Sequence, residues 1–134
     1  MRVVIDTNCL LASIPPLGAY YWLYAAFEQE RFEWAVSNEV LTEYEEKITM
    51  RYSNRTAHLV LTILTFSPNV LFFEPYYHWQ LIEEDPDDNK FVDLAVSAGV
   101  DYLITNDRDF KILKKVDFPK INVLNLDEFK AILG

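Results

Sequence analysis

Several features that define large protein classes are scarce or missing in this chain. It contains a single cysteine, Cys9, and two histidines, and no apolar run approaches the roughly 20 residues that span a bilayer. One cysteine cannot form an internal disulfide, which favours a reducing compartment. Cys9, His58 and His78 are too scattered for a structural zinc site. The first six residues are too short and too soon charged for a signal peptide, so we expect a cytoplasmic protein that does not enter a membrane.

Positive charge is also scarce. The 134 residues include 12 Lys and Arg against 21 Asp and Glu, a formal net charge of −9. This balance argues against a nucleic-acid binder, because Lys and Arg supply the contacts to phosphates. The acids concentrate in residues 83–88, whereas residues 108–120 are locally basic. Two interpretations stay open: an acidic metal site whose cations reverse the local field, or a partner that is basic or small.

Short apolar runs alternate with longer amphipathic stretches, and hydrophobic residues make up 51% of the chain. The pattern predicts strands over residues 2–5, 34–37, 70–73, 102–105 and 121–124. It predicts helices over residues 18–30, 39–51, 54–66, 88–98, 108–115 and 127–133. The length suits one domain over residues 1–134, and the alternation indicates an α/β layer structure with a mainly parallel sheet of about five strands.

Four acidic residues lie beside segments that are predicted to be core. Asp6 and Asp107 follow the first and fourth strands. Glu43 lies about one turn into the helix after the second strand, and Asp88 begins the helix that leads into the fourth. Because sites in parallel sheets form outside the carboxyl ends of the strands, we expect these four carboxylates to converge on one rim.

Converging carboxylates repel one another unless a cation joins them. Mg²⁺ and Mn²⁺ prefer oxygen ligands, and such ions can activate a water and clamp a phosphodiester for in-line attack. Each acid also has an ordinary interpretation: Asp6, Asp88 and Asp107 could cap turns or helices, and Glu43 could be a solvated helix residue.

Four segments of the chain resemble the signature segments of the PIN domain: Val4–Asn8, Val40–Tyr44, Asp85–Phe91 and Leu103–Phe110. The resemblance covers nearly the whole chain and is closest to the VapC-like toxins of bacteria and archaea. It implies a three-layer α/β/α sandwich around a five-stranded parallel sheet. It also implies Mg²⁺- or Mn²⁺-dependent endoribonuclease activity, homodimers, and inhibition by a small antitoxin.

The resemblance assigns roles to particular residues. It matches the catalytic and metal-binding quartet to Asp6, Glu43, Asp88 and Asp107. The first three would hold the principal metal, directly or through water, and the last would complete the site or hold a second ion. Supporting polar positions match Asn8, which would orient the first acid, and Thr105 and Asn106. Neighbouring acids compete for the last two positions of the quartet: Asp87, Asp93 and Asp109. We prefer Asp88 because the helix dipole favours a carboxylate at a helix start.

Residues outside the quartet have several interpretations. Lys90, Arg108 and Lys111 flank the expected site as solvated charges or as contacts to RNA phosphates. The aromatic residues of 20–27 suit a core or dimer contact first, an antitoxin groove second and base stacking last: Tyr20, Tyr21, Trp22, Tyr24 and Phe27.

Other functions remain open at this stage. A haloacid-dehalogenase-like phosphoryl-transfer site would have a second Asp at position 8, which is Asn8, and a receiver-like site would have a Lys after the fifth strand. A PIN nuclease of RNA processing outside a toxin–antitoxin pair, and a non-catalytic binding module on the same fold, are the further alternatives.

Overall fold

The computed structural model describes residues 1–134 and contains one five-stranded sheet. Its strands are β1 Arg2–Ile5, β2 Glu33–Val36, β3 Val70–Phe72, β4 Tyr102–Ile104 and β5 Val123–Leu124. They lie in the order β3-β2-β1-β4-β5, and every pairing is parallel. The predicted parallel sheet is confirmed, although β5 is shorter than the predicted strand over residues 121–124.

Six α-helices flank the sheet: α1 Thr7–Ser13, α2 Tyr21–Glu28, α3 Asn38–Arg51, α4 Asn54–Phe66, α5 Asn89–Ala98 and α6 Leu126–Leu133. Two 3₁₀ segments, Pro86–Asp88 and Arg108–Lys115, precede α5 and follow β4. The sequence pattern missed α1 and made α2 too long at both ends. None of the helices combines the length and the apolar character needed to cross a membrane.

The helices that carry the predicted site begin and end as the sequence indicates. The Ser37 side chain accepts a hydrogen bond from the Val40 amide at 3.2 Å and caps α3. Gly99 ends α5 with φ of 59°, in the left-handed region that glycine adopts without steric cost. The sequence offers Ser37 or Asn38 as the cap of α3 and Gly99 as the end of α5, and the structure uses Ser37 and Gly99.

A buried tyrosine fixes α3 against the centre of the sheet. Tyr44 is fully buried, and its hydroxyl donates to the Ile5 carbonyl and accepts from Trp34 Nε1 at 3.2 Å. Ile5 is the last residue of β1, so this contact brings the α3 turn that contains Glu43 to the carboxyl end of β1. Phe27 packs edge-on against Trp34 with ring centroids 5.2 Å apart, which supports the core interpretation of this aromatic residue.

The order of the strands creates a crevice at the carboxyl end of β1. From β1 the chain moves outward through β2 and β3, then returns to place β4 on the other side of β1. Such a reversal is the position at which open parallel sheets form their sites. The Asp6 amide donates to the Ile104 carbonyl at 2.9 Å, so β1 and β4 are still joined where the acidic residues begin.

Candidate metal centre

Asp6 lies between β1 and α1 and is 5% exposed. Thr105 Oγ1 donates to Asp6 Oδ2 at 2.7 Å. Burial raises the pKa of Asp6 to about 6, against the lowering effect of the Thr105 hydrogen bond, and the charges of Asp107 and Glu43 raise it further. The first predicted acid is therefore a buried carboxylate within the electrostatic reach of two others.

The Thr105 hydroxyl connects the first acid to the last. Besides donating to Asp6, it accepts a hydrogen bond from the Asp107 amide at 2.9 Å. Asp107 then caps the 3₁₀ segment Arg108–Lys115, because its Oδ1 accepts from the Asp109 amide at 2.9 Å. This chain of contacts holds the turn after β4 in position beside Asp6.

Asp88 carries the one buried side-chain polar atom in the chain that has no hydrogen-bond partner, its Oδ2. Burial raises the pKa of Asp88 to about 7, with further contributions from Asp85, Asp6, Asp107 and Asp109. A buried carboxylate oxygen without a donor is costly for the folded protein. Its surroundings are other acids, so a cation is the partner that this position lacks.

Asp85 and Asp109 join Asp88 in a compact group. One carboxylate oxygen from each of the three lies within 4.8 Å of the others. Sequence reasoning listed Asp109 as a rival of Asp107 but did not consider Asp85. The available signal was the Asp85-Pro86 pair, since Asp85 caps the 3₁₀ segment Pro86–Asp88 by accepting from the Asp87 amide at 3.2 Å.

Glu43 differs from the other acids because it has a cation. Its Oε1 pairs with Lys90 Nζ at 2.9 Å, and its Oε2 accepts from the Thr7 hydroxyl. The Lys90 and Glu43 side chains are 18% and 15% exposed. Partial burial works to lower the pKa of Lys90, but the contact with Glu43 outweighs it and the pKa is raised. Lys90, for which a solvated charge and a phosphate contact were both left open, instead forms an ion pair with Glu43.

The other predicted positions lie at or near the rim with different contacts. Asn8 is exposed, and Thr105 rather than Asn8 contacts Asp6. Asn106 Oδ1 accepts from the Leu126 amide at 3.0 Å and so holds the start of α6. Asp93 is buried, but its two oxygens are occupied by the Trp79 amide and by His78 Nδ1.

The remaining candidates lie on the surface around the acids. Asp87 is exposed, and its backbone amide donates to Asp85 Oδ1. Its side chain makes no hydrogen bond. Arg108 and Lys111 are exposed and line an open cavity of about 400 Å³ that also includes Asp109. Asp109 therefore shares this cavity with cationic side chains, and Glu83 and Glu84 line it as well.

The family model of the PIN domain matches residues 2–109. The chain belongs to the PIN domain family. The match spans the four predicted signature segments almost completely, which confirms the resemblance read from the sequence. No curated protein sequence matches the chain significantly.

Solved structures share the architecture at low sequence identity. A crystal structure of VapBC2 from Rickettsia felis bound to a promoter DNA fragment matches with a TM-score of 0.64 and 18% identity, covering 93% of this chain and 98% of that chain. The Mycobacterium tuberculosis toxin VapC20, described as cleaving the sarcin–ricin loop, matches with a TM-score of 0.63 and 17% identity, covering 90% and 98%. The PIN domain of RRP44 from T. brucei matches with a TM-score of 0.54 and 15% identity, covering 97% and 79%. These likenesses establish the PIN fold of this chain.

Proposed function

We propose that this PIN domain is a metal-dependent endoribonuclease that acts as the toxin of a toxin–antitoxin pair. The observation that carries the proposal is the buried, unpartnered Oδ2 of Asp88 within a group of mutually repelling carboxylates. An acid whose pKa is raised this far by burial and by neighbouring acids is typical of a functional site rather than a solvated surface.

The residues present suit a hard divalent cation. The acidic residues at the rim offer carboxylate oxygens, the ligand type that Mg²⁺ and Mn²⁺ prefer, and the buried Cys9 has a pKa raised to about 12 and stays a thiol. We assign Asp6 and Asp88 as the central ligands, with Asp107 and the Asp85–Asp109 pair around them. Glu43 already has Lys90 as its counter-ion, so we assign it an outer position reached through water.

The chain's own groups have separable tasks in hydrolysis. A bound Mg²⁺ or Mn²⁺ would lower the pKa of a water and neutralise charge at the scissile phosphate. Thr105 donates to Oδ2 of Asp6 and so orients this carboxylate. Water oxygen forms the new bond to phosphorus as the bond to the 3′-oxygen breaks, and the 3′-oxygen takes up a proton. The products are a 5′-phosphate and a 3′-hydroxyl end.

The toxin assignment draws on the structural neighbours. VapC20 is described as an RNA-cleaving toxin and VapBC2 as a complex that binds promoter DNA. By analogy we propose a small antitoxin as partner, a homodimer as the oligomeric state, and the cytoplasm as the location. The match to the RRP44 PIN domain favours a second candidate, a nuclease of RNA processing outside a toxin–antitoxin pair.

Cleavage of RNA in the presence of Mn²⁺ tests the proposal. The Asp6→Asn variant should lose at least 100-fold in rate, because removal of even outer partners of metal ligands costs 10–100-fold in affinity or activity. The Asp117→Asn variant, which removes an exposed carboxylate outside the site, should cleave normally. Wild-type cleavage rates in Asp6→Asn, or in EDTA, would refute the mechanism.

Growth measurements separate the two candidate functions. Expression of the wild-type chain alone should arrest growth if the chain is a toxin, whereas the Asp6→Asn variant should be tolerated. Tolerance of both, together with Mn²⁺-dependent cleavage in vitro, would favour the RNA-processing alternative.

A further inference from the structure

Three aromatic side chains, two of them exposed and Trp79 half-buried, form a group at the surface that lies outside the core and the acidic site. Tyr77 and Trp79 have ring centroids 4.6 Å apart, and Trp79 and Phe118 have centroids 5.8 Å apart. Tyr77 is 65% exposed and Phe118 is 82% exposed. We call these three residues the aromatic cluster. Large apolar rings placed together in solvent indicate a contact surface, because single exposed apolar residues are ordinary but groups are not.

Hydrogen bonds join the segment that contains Trp79 to the helix that begins at the acidic site. The buried Asp93 carboxylate accepts from the Trp79 amide at 2.9 Å and contacts His78 Nδ1 at 3.1 Å. The Asn89 side chain accepts from the Ile82 amide and donates to the Ile82 carbonyl, both at 2.9 Å. Asp93 lies five residues after Asp88, which is about 7 Å along a helix axis. The cluster therefore has a defined position near the acids.

A cavity beside Asp109 is lined by residues that lie close to the cluster in the sequence. It measures about 400 Å³ and includes Asp109 of the carboxylate group and Leu81 and Ile82, which follow Trp79 in the chain. Arg108, Lys111 and Lys115 form its cationic wall, and Phe118 comes three residues after Lys115. Glu83 and Glu84 face the same space. The cations lie along the 3₁₀ segment that leads from the acidic site toward the aromatic cluster.

We propose that the aromatic cluster is a stacking platform for unpaired bases of RNA whose backbone follows the cationic wall into the acidic site. The inference rests on the proposed ribonuclease function and names single-stranded RNA as its substrate. Stacking on aromatic side chains is independent of sequence and needs bases that are free of a duplex. A chain with a net charge of −9 gains little from its overall field at phosphates, so stacking supplies affinity that charge does not.

RNA-binding measurements without metal test the platform directly. The probe is a fluorescein-labelled 12-nucleotide single strand in EDTA, followed by fluorescence anisotropy. Phe118→Ala and Tyr77→Ala should each raise the Kd on the order of 5- to 150-fold, the range that loss of one base–aromatic stack gives. Phe118→Trp should keep the wild-type Kd because it keeps an aromatic face. An oligomer of the same length with abasic central positions should bind wild type and variants equally.

Two exposed aromatic residues outside the cluster provide matched controls. Tyr76 is 95% exposed and adjoins Tyr77 in the chain, and Phe66 is 81% exposed at the end of α4. Tyr76→Ala and Phe66→Ala should leave the Kd unchanged. All four truncations remove exposed side chains, and unchanged thermal unfolding verifies that each variant is folded.

Three outcomes would overturn the inference. The first is no measurable binding of the single strand, or a Kd that Phe118→Ala and Tyr77→Ala leave unchanged. The second is an equal loss for the abasic oligomer or in the control variants. The third is a shift from dimer to monomer in sedimentation with an unchanged Kd, which would make the cluster a contact between copies of the chain. Because binding is measured without metal, failure here leaves Asp6-dependent cleavage intact, and failure of cleavage leaves the binding result interpretable.

Discussion

Replacement of Asp6 by asparagine should stabilise the metal-free protein while it abolishes activity. Asp6 is 5% exposed, and burial raises its pKa from the ordinary value of 3.8 to about 6. The ionised side chain therefore disfavours the folded state at neutral pH when no cation is bound. Asparagine keeps the shape and can still accept the Thr105 hydrogen bond through Oδ1, but it carries no charge.

The size of the effect follows from the pKa. One pKa unit corresponds to about 1.4 kcal/mol. A rise in the pKa of Asp6 from 3.8 to about 6 therefore corresponds to about 3 kcal/mol against the folded state with Asp6 ionised. Relaxation of the amide in a site shaped for a carboxylate offsets part of this. We expect a net gain of about 1–3 kcal/mol, or a melting temperature higher by roughly 5–10 °C.

The sign of the pH dependence follows from the same comparison. An acid whose pKa is higher in the folded state contributes stability that is complete below pH 3.8 and is lost as the pH rises through about 6. The free energy of unfolding of the wild type should therefore fall relative to that of Asp6→Asn between pH 4 and 6. Above about pH 6 to 7 the difference should level off.

Urea and thermal unfolding in EDTA across this pH range measure the difference, with Asp117→Asn as the exposed-carboxylate control. Saturating Mn²⁺ should reverse the order, because a ligand at 100 times its Kd adds about 2.7 kcal/mol to the wild type alone. If Asp6→Asn is less stable than the wild type in EDTA at pH 8, or if the difference does not vary with pH, then burial does not raise the pKa of Asp6 and the reasoning is wrong.

Three further substitutions test the supports of the site and of α5. Thr105→Val removes the donor to Asp6 and leaves the Asp107 amide unpaired, so we expect a loss of about 2 kcal/mol in unfolding and a 10- to 100-fold slower cleavage with Mn²⁺. Lys90→Met leaves the charge of Glu43 without its partner and should lower stability by about 1–3 kcal/mol in EDTA, and by less in Mn²⁺. Gly99→Ala meets no atom within 4 Å, so its expected loss of about 1–2 kcal/mol in urea unfolding comes from backbone strain at φ of 59° alone.

The sequence predicted the sheet and most helices because their signals are local. Ser37 and Gly99 mark helix ends through backbone hydrogen bonds and dihedral preference, and the structure uses both. Helix α4 has the bounds predicted for it, Asn54–Phe66. By contrast, α1 is seven residues long and mostly buried. Because it has no exposed polar face, its sequence does not show the alternation of apolar and polar residues that indicates a helix.

The same distinction between local sequence signals and contacts without such signals applies to the site. Asp6 and Asp107 were predicted at the rim because each follows a strand, and that prediction depends on the parallel order of the sheet. Side-chain contacts between distant segments had no sequence signal: Lys90 pairs with Glu43 across 47 residues, and Thr105 bonds Asp6 across 99. Asp85 was missed because its Asp-Pro context indicates a turn, and the turn is also what brings its carboxylate beside Asp88 and Asp109.

The pairing of Glu43 with Lys90 changes how the acidic site should be understood. Four uncompensated carboxylates would need more cationic charge than one Mg²⁺ supplies, and the metal-free fold would carry their full repulsion. Lys90 removes one negative charge from that group before any metal binds. Burial first, and the charges of neighbouring acids second, raise the pKa values of Asp6 and Asp88. We therefore propose that a metal ion binds between those two side chains, while Lys90 beside Glu43 keeps some positive charge at the rim where an RNA phosphate would approach an acidic protein.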